Sequence, residues 1–142
     1  MADDRDLMVL MRAIASGDQG LALSLLAATL ELAVTKLSQG AQRSVSEDFF
    51  FADCHTNVYA GDTALHVAAF AYETMLAQHL VAVGADVHAR NRRCAQPLHA
   101  AAIGSLTSMA MTHKPKRFLI AEQKYDGFVR VLTLASEPLV RT

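Results

Sequence analysis

Two heptapeptides decide how this chain folds: residues 63–69 read TALHVAA, and residues 96–102 read QPLHAAA. The leucine, the histidine and the last two alanines of the first heptapeptide recur 33 residues later in the second. Self-similarity at a fixed period of about 20–50 residues is typical of proteins built by repeating one small structural unit. The recurrence therefore predicts a repeat architecture, in which neighbouring units bury their apolar faces against each other.

Between the two heptapeptides lies a third signature, residues 84–89, which reads GADVHA. Together with the 33-residue period, these stretches resemble the ankyrin repeat, whose signature is T-P-L-H-x-A. His88 stands where the family has asparagine. The resemblance implies an all-α fold, an ankyrin-repeat solenoid of helix–turn–helix units joined by projecting hairpins.

A degenerate copy of the unit lies upstream, where residues 13–26 align with residues 68–81 at an offset of 55. This offset is one period plus 22 residues, so we expect the first unit to carry an insertion between Ala27 and Asn57. The copy lacks the T-x-L-H hallmark, as expected of a terminal capping repeat. We therefore predict a single domain over 1–142, made of a degenerate N-terminal capping repeat with an insertion (7–56), a repeat (57–90), the start of the next repeat (91–104) and a divergent C-terminal cap or tail (105–142).

Individual side chains support the predicted ends of the helices. Thr63 stands where a helix N-cap belongs, and Pro97 occupies a first helical position, where its missing N–H costs nothing. Gly84 follows the second helix, where a left-handed cap favours glycine. Cys94 replaces the turn glycine that is matched by Gly61, and we expect this replacement to cost stability.

The insertion first continues the helical pattern and then breaks it. Apolar residues at helical spacing extend the second helix, which we expect to end at Gly40. Residues 44–48 read as a loop and are followed by Phe49–Phe51. Three adjacent aromatic residues cannot all face one core, so we expect a short strand or turn there, with a partner-facing hydrophobic patch as the alternative. The residues that extend the stripe are Leu23, Leu26, Leu30, Val34 and Leu37.

Composition places the chain among folded proteins of balanced charge. It has 52% hydrophobic residues, 19% charged residues, 25 alanines and a net charge of −1, which argues against a general nucleic-acid binder. The first residues are acidic, and we expect the carboxylates of Asp3, Asp4 and Asp6 to lie on a mobile terminus that holds no site. Two cysteines and the lack of a long apolar run predict a reduced, cytoplasmic protein with no membrane segment.

Candidate catalytic chemistry is sparse. The resemblance implies structural roles for His66 and His99, because the family's histidine hydrogen-bonds locally and bridges to the neighbouring loop. The sequence contains no phosphate-binding glycine loop, nucleophile elbow or H-E-x-x-H motif. Cys54, His55, Cys94 and His99 are residue types that bind zinc, but their spacing matches no recognised finger. We therefore expect no catalytic residue, metal or cofactor, with a small metal-dependent hydrolase as the alternative.

The resemblance implies a non-enzymatic module that binds a protein partner through hairpin tips and inner helices, as a monomer or weak dimer without nucleic acid. A structural or truncated fragment of a longer repeat array is a further alternative. The cluster Arg90, Arg92 and Arg93 favours an acidic partner, and like charges this close give little to folding. The positions that match the family's recognition surface are Asn57, Tyr59, Ala60, Asp62, Phe70, Ala71, Arg90, Arg92, Arg93, Ala95 and Ile103.

The metal content of the protein separates the binding module from the hydrolase. Elemental analysis of the purified, tag-free protein after dialysis is expected to find well under one equivalent of zinc, because the cysteine and histidine spacing fits no zinc site. A stoichiometric metal that survives dialysis would contradict this prediction and favour the hydrolase.

Overall fold

The computed structural model describes residues 3–42, 47–52, 56–71 and 73–101. Helices dominate this part of the chain, and one small sheet interrupts them. Residues 97–101 form the beginning of a further helix. The elements are, in chain order, α1 (Asp4–Ser16), α2 (Gln19–Ala28), a 3-10 helix (Leu30–Ala33), a second 3-10 helix (Glu47–Phe49), β1 (Phe50–Phe51), β2 (Thr56–Asn57), α3 (Ala64–Ala71) and α4 (Thr74–Ala82).

The four α-helices form two successive antiparallel pairs. Gln19 opens α2 and Thr74 opens α4, so the second helices of the two pairs begin 55 residues apart. The residues before them, Asp18 and Glu73, are the equivalent N-caps. Helix α1 packs against α3, and α2 contacts α4. The second helix of each pair therefore starts where the sequence offset places it.

The core lies between the first helices of the two pairs. Leu10 of α1 and its equivalent Leu65 of α3 are both fully buried. Ala68 and Ala69 are also fully buried, and their small side chains allow α1 to approach α3 closely. On α4, Leu80 is fully buried together with its neighbours one helical turn earlier. Each buried leucine contributes about 1.5–3 kcal/mol relative to an exposed one.

The acidic N-terminal residues are ordered, which corrects the expectation of a mobile terminus. The Asp3 carboxylate caps α1 by accepting the Asp6 N–H at 3.0 Å. The Asp4 carboxylate accepts the Ser38 and Gln39 N–H groups and the Ser38 hydroxyl, the last at 2.6 Å. Burial opposes ionisation of Asp4, but these hydrogen bonds outweigh it and lower the pKa of the carboxyl. The terminus therefore anchors the inserted segment to α1.

The predicted extension of α2 is wrong. The helix ends at Ala28, Thr29 is extended (φ −142°), and the side chains of Leu30 and Val34 are exposed. The chain leaves the helix because its backbone finds tertiary partners: the Leu37 N–H donates to the Asp62 carbonyl at 2.9 Å. The Gly61 N–H in turn donates to the Leu37 carbonyl at 2.7 Å.

Gly40 also has a different role from the predicted one, because it ends no helix. A Cβ atom at this position would lie 2.5 Å from the Cα of Tyr59 and from the amide nitrogen of Ala60. Next to it, the Ala41 N–H donates to the Val58 carbonyl at 2.8 Å. Glycine is therefore required here by a close approach of two backbone segments.

A two-stranded antiparallel sheet corrects the all-α expectation. Phe50 pairs with Asn57, and Phe51 pairs with Thr56. Successive strand residues face opposite sides, so Phe51 is buried while Phe50 is 42% exposed, as the three adjacent aromatic residues predicted. The guanidinium of Arg12 on α1 lies 4.9 Å from the centre of the Phe51 ring and donates to the Asp48 carbonyl at 2.8 Å.

The turns around the second helix pair follow the sequence pattern closely. Gly84 follows α4 with φ +106°, and Pro97 is the first residue of the helix at 97–101. Residues 61–83 contain no strand. Cys94, the predicted substitute for a turn glycine, has φ +61° and is the only non-glycine residue with positive φ among the described residues. The expectation that Cys94 occupies a glycine position is confirmed.

Ile103, Cys54 and His55 and the predicted C-terminal cap or tail at 105–142 lie outside the described residues. Within the residues that the structure does describe, no helix has the length and apolar character needed to span a bilayer.

The turn positions 61 and 94 are expected to respond in opposite directions to substitution. Gly61→Ala should lower the free energy of unfolding by about 2 kcal/mol or more, because a left-handed alanine is strained. Its Cβ would also lie 2.8 Å from the Cα of Asn91. Cys94→Gly should raise the free energy of unfolding by roughly 0.5–1 kcal/mol, because it removes the same strain. Urea denaturation measures both, and stabilisation by Gly61→Ala would contradict the turn geometry.

Candidate functional site

The first turn of α3 is organised by a threonine and a histidine. The Thr63 hydroxyl lies 3.4 Å from the His66 N–H, which it caps, and the His66 Nδ1 accepts the Thr63 N–H at 3.1 Å. Since Nδ1 accepts a hydrogen bond from a backbone N–H, the ring proton lies on Nε2. That Nε2–H donates to the Ala95 carbonyl at 2.8 Å, 29 residues further along the chain. The predicted local and bridging role of His66 is confirmed.

Asp62 supports this histidine from inside the protein. Its carboxylate accepts the Tyr59 N–H through Oδ2 at 2.8 Å and the Asn91 side-chain amide through Oδ1 at 2.8 Å. The same Oδ1 lies 3.9 Å from the Nε2 of His66. Asp62 is fully buried. The structure therefore removes Asp62 from the predicted recognition surface and gives it a role in the fold.

Burial dominates the ionisation of both groups. It raises the pKa of Asp62, against the opposing effects of His66, the Tyr59 N–H and Asn91. It lowers the pKa of His66, against the opposing effect of Asp62. A neutral imidazole fits the geometry, because a second proton on Nδ1 would face the Thr63 N–H.

Asn91 completes a connection between the two turns. Its side-chain Oδ1 accepts the N–H groups of Arg93 at 2.9 Å and Ala95 at 3.0 Å, while its Nδ2 donates to Asp62. We call Asp62, His66 and Asn91 the buried network. Beside it, the Arg92 N–H donates to the Ala60 carbonyl at 2.6 Å. The backbone from residue 91 to residue 95 is therefore held against the backbone from residue 59 to residue 62.

A groove of about 620 Å³ lies above the buried network, between the two turns and the first helices. Its floor is apolar, and its walls carry polar side chains. Five of the eleven residues predicted for recognition line it, namely Asn57, Tyr59, Phe70, Arg93 and Ala95. The other lining residues are Thr56, Asn91, Cys94, His99 and Ala100.

One cation of the groove is held in place. The Arg93 guanidinium lies 5.0 Å from the centre of the Tyr59 ring and donates to the Tyr59 hydroxyl at 3.1 Å. This contact qualifies the expectation that the three arginines give little to folding, since Arg93 stacks on the protein. Arg90 and Arg92 have exposed side chains outside the groove lining.

The remaining predicted recognition residues have mixed positions. Ala60 contributes its carbonyl to the backbone bond described above, and Ala71 is a half-buried residue at the end of α3. Asn57 lies on β2, and its side-chain Oδ1 is buried and accepts no hydrogen bond from the described residues. Sequence reasoning missed Asn91 and Thr56. Their only signal was their nearness to Arg92 and Asn57 in the chain.

The residues of the alternative metal site are only partly described. Cys94 and His99 line the groove together, while Cys54 and His55 lie outside the described residues. His99 repeats the local contact of His66, since its Nδ1 accepts the Gln96 N–H at 3.0 Å. Over the described part of the chain, no three histidine, cysteine, aspartate or glutamate residues are grouped to hold a metal ion.

The lowered pKa of His66 predicts a loss of stability on mild acidification. Below about pH 6.5 the unfolded chain binds a proton that the folded imidazole refuses, so the free energy of unfolding falls by up to about 1.4 kcal/mol per pH unit. The raised pKa of Asp62 acts oppositely, because the folded carboxyl takes up a proton at a higher pH than the unfolded one. That gain falls at lower pH than the onset of the His66 loss, so the loss comes first.

Urea denaturation at pH 7.5, 6.5 and 5.5 measures this effect. His66→Gln should be less stable at all three values and should show a weaker pH dependence. His88→Asn, at an exposed histidine, is the control and should keep the slope of the unmodified protein. An unchanged slope in His66→Gln would contradict the assignment.

Comparison with known proteins agrees with this geometry. The family model described as Ankyrin repeat matches residues 60–92, which span the Tyr59–Asp62 turn, both helices α3 and α4 and the arginine-bearing turn. No curated protein sequence matches the chain. Ankyrin repeats are generally protein–protein interaction modules and are typically not enzymes. Residues 60–92 of this protein are an ankyrin repeat.

Proposed function

We propose that this chain is a non-enzymatic module that binds a protein partner in the groove between its two turns and its inner helices. The observation that carries the proposal is the groove itself, a concave surface of about 620 Å³ whose walls are the residues that the repeat predicts for recognition. The matched family, whose repeats generally mediate protein–protein interaction, supports the same function.

The energetics of the groove favour recognition over a purely structural role. The buried network uses Asp62, His66 and Asn91 to hold both turns, so the walls are preorganised before a partner arrives. Preorganised surfaces lose less conformational entropy on binding. Arg90 and Arg92, by contrast, are exposed at the edge, and exposed charges contribute about 0–1 kcal/mol to folding at most. Their cost to the free protein is small, and their value lies in attracting a partner.

The proposal includes the wider arrangement expected from the repeat. The unit at 57–90 continues an ankyrin-type solenoid within one domain over 1–142, and the protein acts in the cytoplasm as a monomer or weak dimer. Nucleic acid is disfavoured as a partner, because the cations are not interleaved with a row of stacking aromatic residues. No cofactor is part of the proposed function.

Charge reversal at the turn is expected to separate binding from folding. Arg92→Glu, and more strongly Arg90→Glu with Arg92→Glu, should reduce the amount of partner captured by affinity purification and quantified by mass spectrometry. The association rate constant should fall roughly tenfold, because rim charges act mainly on the encounter. The thermal midpoint should stay nearly unchanged. Arg5→Glu reverses an exposed cation of α1 outside the groove and should leave binding intact.

Leu80→Ala provides the opposite case. Leu80 is fully buried and lines no part of the groove, so its truncation should lower the free energy of unfolding by about 2–5 kcal/mol. Well below its midpoint, this variant should still bind. If charge reversal at Arg90 and Arg92 unfolds the protein, or leaves every captured partner bound as before, the turn is not the recognition surface.

A further inference from the structure

We propose that the groove binds an acidic peptide segment of the partner, with one carboxylate held by Arg93 and Tyr59. This inference rests on the proposed function and names the chemistry of the partner. The polarity of the hydrogen-bonding groups in the groove carries it, together with the charge at its edge.

The groove offers donors without a negative charge to oppose an anion. Among its described lining residues none is acidic, and the carboxylate of Asp62 lies buried behind the wall with its own partners. Arg93 contributes a guanidinium with five N–H groups, of which one contact goes to Tyr59. An acceptor-rich, negatively charged group is the ligand that such walls complement.

Tyr59 and His99 add two neutral donors to this set. The Tyr59 oxygen accepts a hydrogen bond from Arg93 at 3.1 Å, so its own O–H is directed to another acceptor. His99 accepts the Gln96 N–H at Nδ1, which leaves its ring proton on Nε2. Both side chains line the groove. One fixed guanidinium with two neutral donors matches a single negative charge, and therefore a carboxylate better than a doubly charged phosphate.

The shape of the groove indicates a peptide rather than a free acid. Phe70, Ala95 and Ala100 form an apolar part of its lining, which fits an aliphatic or aromatic side chain next to the bound carboxylate. Arg90 and Arg92 lie beyond the lining, where further acidic residues of the same segment would reach them. Residues 105–142 of this chain carry a net charge of +3 and are therefore disfavoured as the occupant.

Selection from a phage-displayed library of random dodecapeptides on the immobilised full chain tests the proposal. The selected peptides should be rich in aspartate and glutamate. A fluorescein-labelled representative should bind at least tenfold more tightly, by fluorescence anisotropy, than its twin in which glutamine and asparagine replace the acidic residues. Added salt should weaken the binding.

Three variants locate the carboxylate. Arg93→Gln should abolish the preference for the acidic peptide, and Arg93→Lys should restore only part of it, because lysine keeps the charge without the planar fork. Tyr59→Phe should weaken binding severalfold while the thermal midpoint changes little. Arg5→Gln is the matched control and should have no effect on affinity.

Several results would overturn the proposal. Neutral or basic selected peptides, equal binding of the uncharged twin, or failure to enrich any peptide would each do so. Tighter binding of a phosphoserine form would assign the groove to phosphate instead. A concentration-dependent dimer that Arg93→Gln abolishes would assign it to a second copy of this chain. In each of these cases, partner capture sensitive to Arg90 and Arg92 would still support the proposed function, so the two failures are distinguishable.

Discussion

A buried hydrogen-bonded chain through His66 is the constraint on which the second helix pair and its turns depend. One ring nitrogen of His66 accepts from the start of its own helix, and the other donates to the carbonyl of Ala95. Asp62 and Asn91 satisfy the remaining buried polar groups around it. A buried polar network of this kind stabilises one arrangement of the backbone, because any other arrangement leaves donors or acceptors without partners.

The same network makes the groove possible. It fixes two turns side by side, and the walls of the groove are the side chains that these turns present outward, above all Tyr59 and Arg93. Because the network satisfies its own members internally, the outward side chains are left for recognition. The division of labour within the 60–92 unit is therefore sharp: Asp62 and His66 maintain the fold, while their neighbours face the solvent.

The first unit reaches a similar helix pair by a different route. Its insertion is fastened by Asp4 to α1, by Leu37 to the Asp62 turn and by Arg12 to the Phe51 ring. Gly40 allows the inserted backbone to lie directly against residues 59–60. These contacts compensate for the missing T-x-L-H hallmark of the first unit, which has no histidine bridge of its own.

The sequence by itself determined the features that are local or periodic. The 33-residue recurrence, the cap at Thr63, the glycine at 84 and the strained position of Cys94 all follow from backbone preferences within a few residues, and the structure agrees with each. Only the tertiary structure decided where α2 ends, that Phe50–Phe51 pair with Thr56–Asn57, and that Asp62 is buried. Those outcomes depend on hydrogen bonds between residues 20 or more positions apart in the case of Leu37 and Asn91, or across a loop of the insertion, and helix periodicity contains no information about such partners.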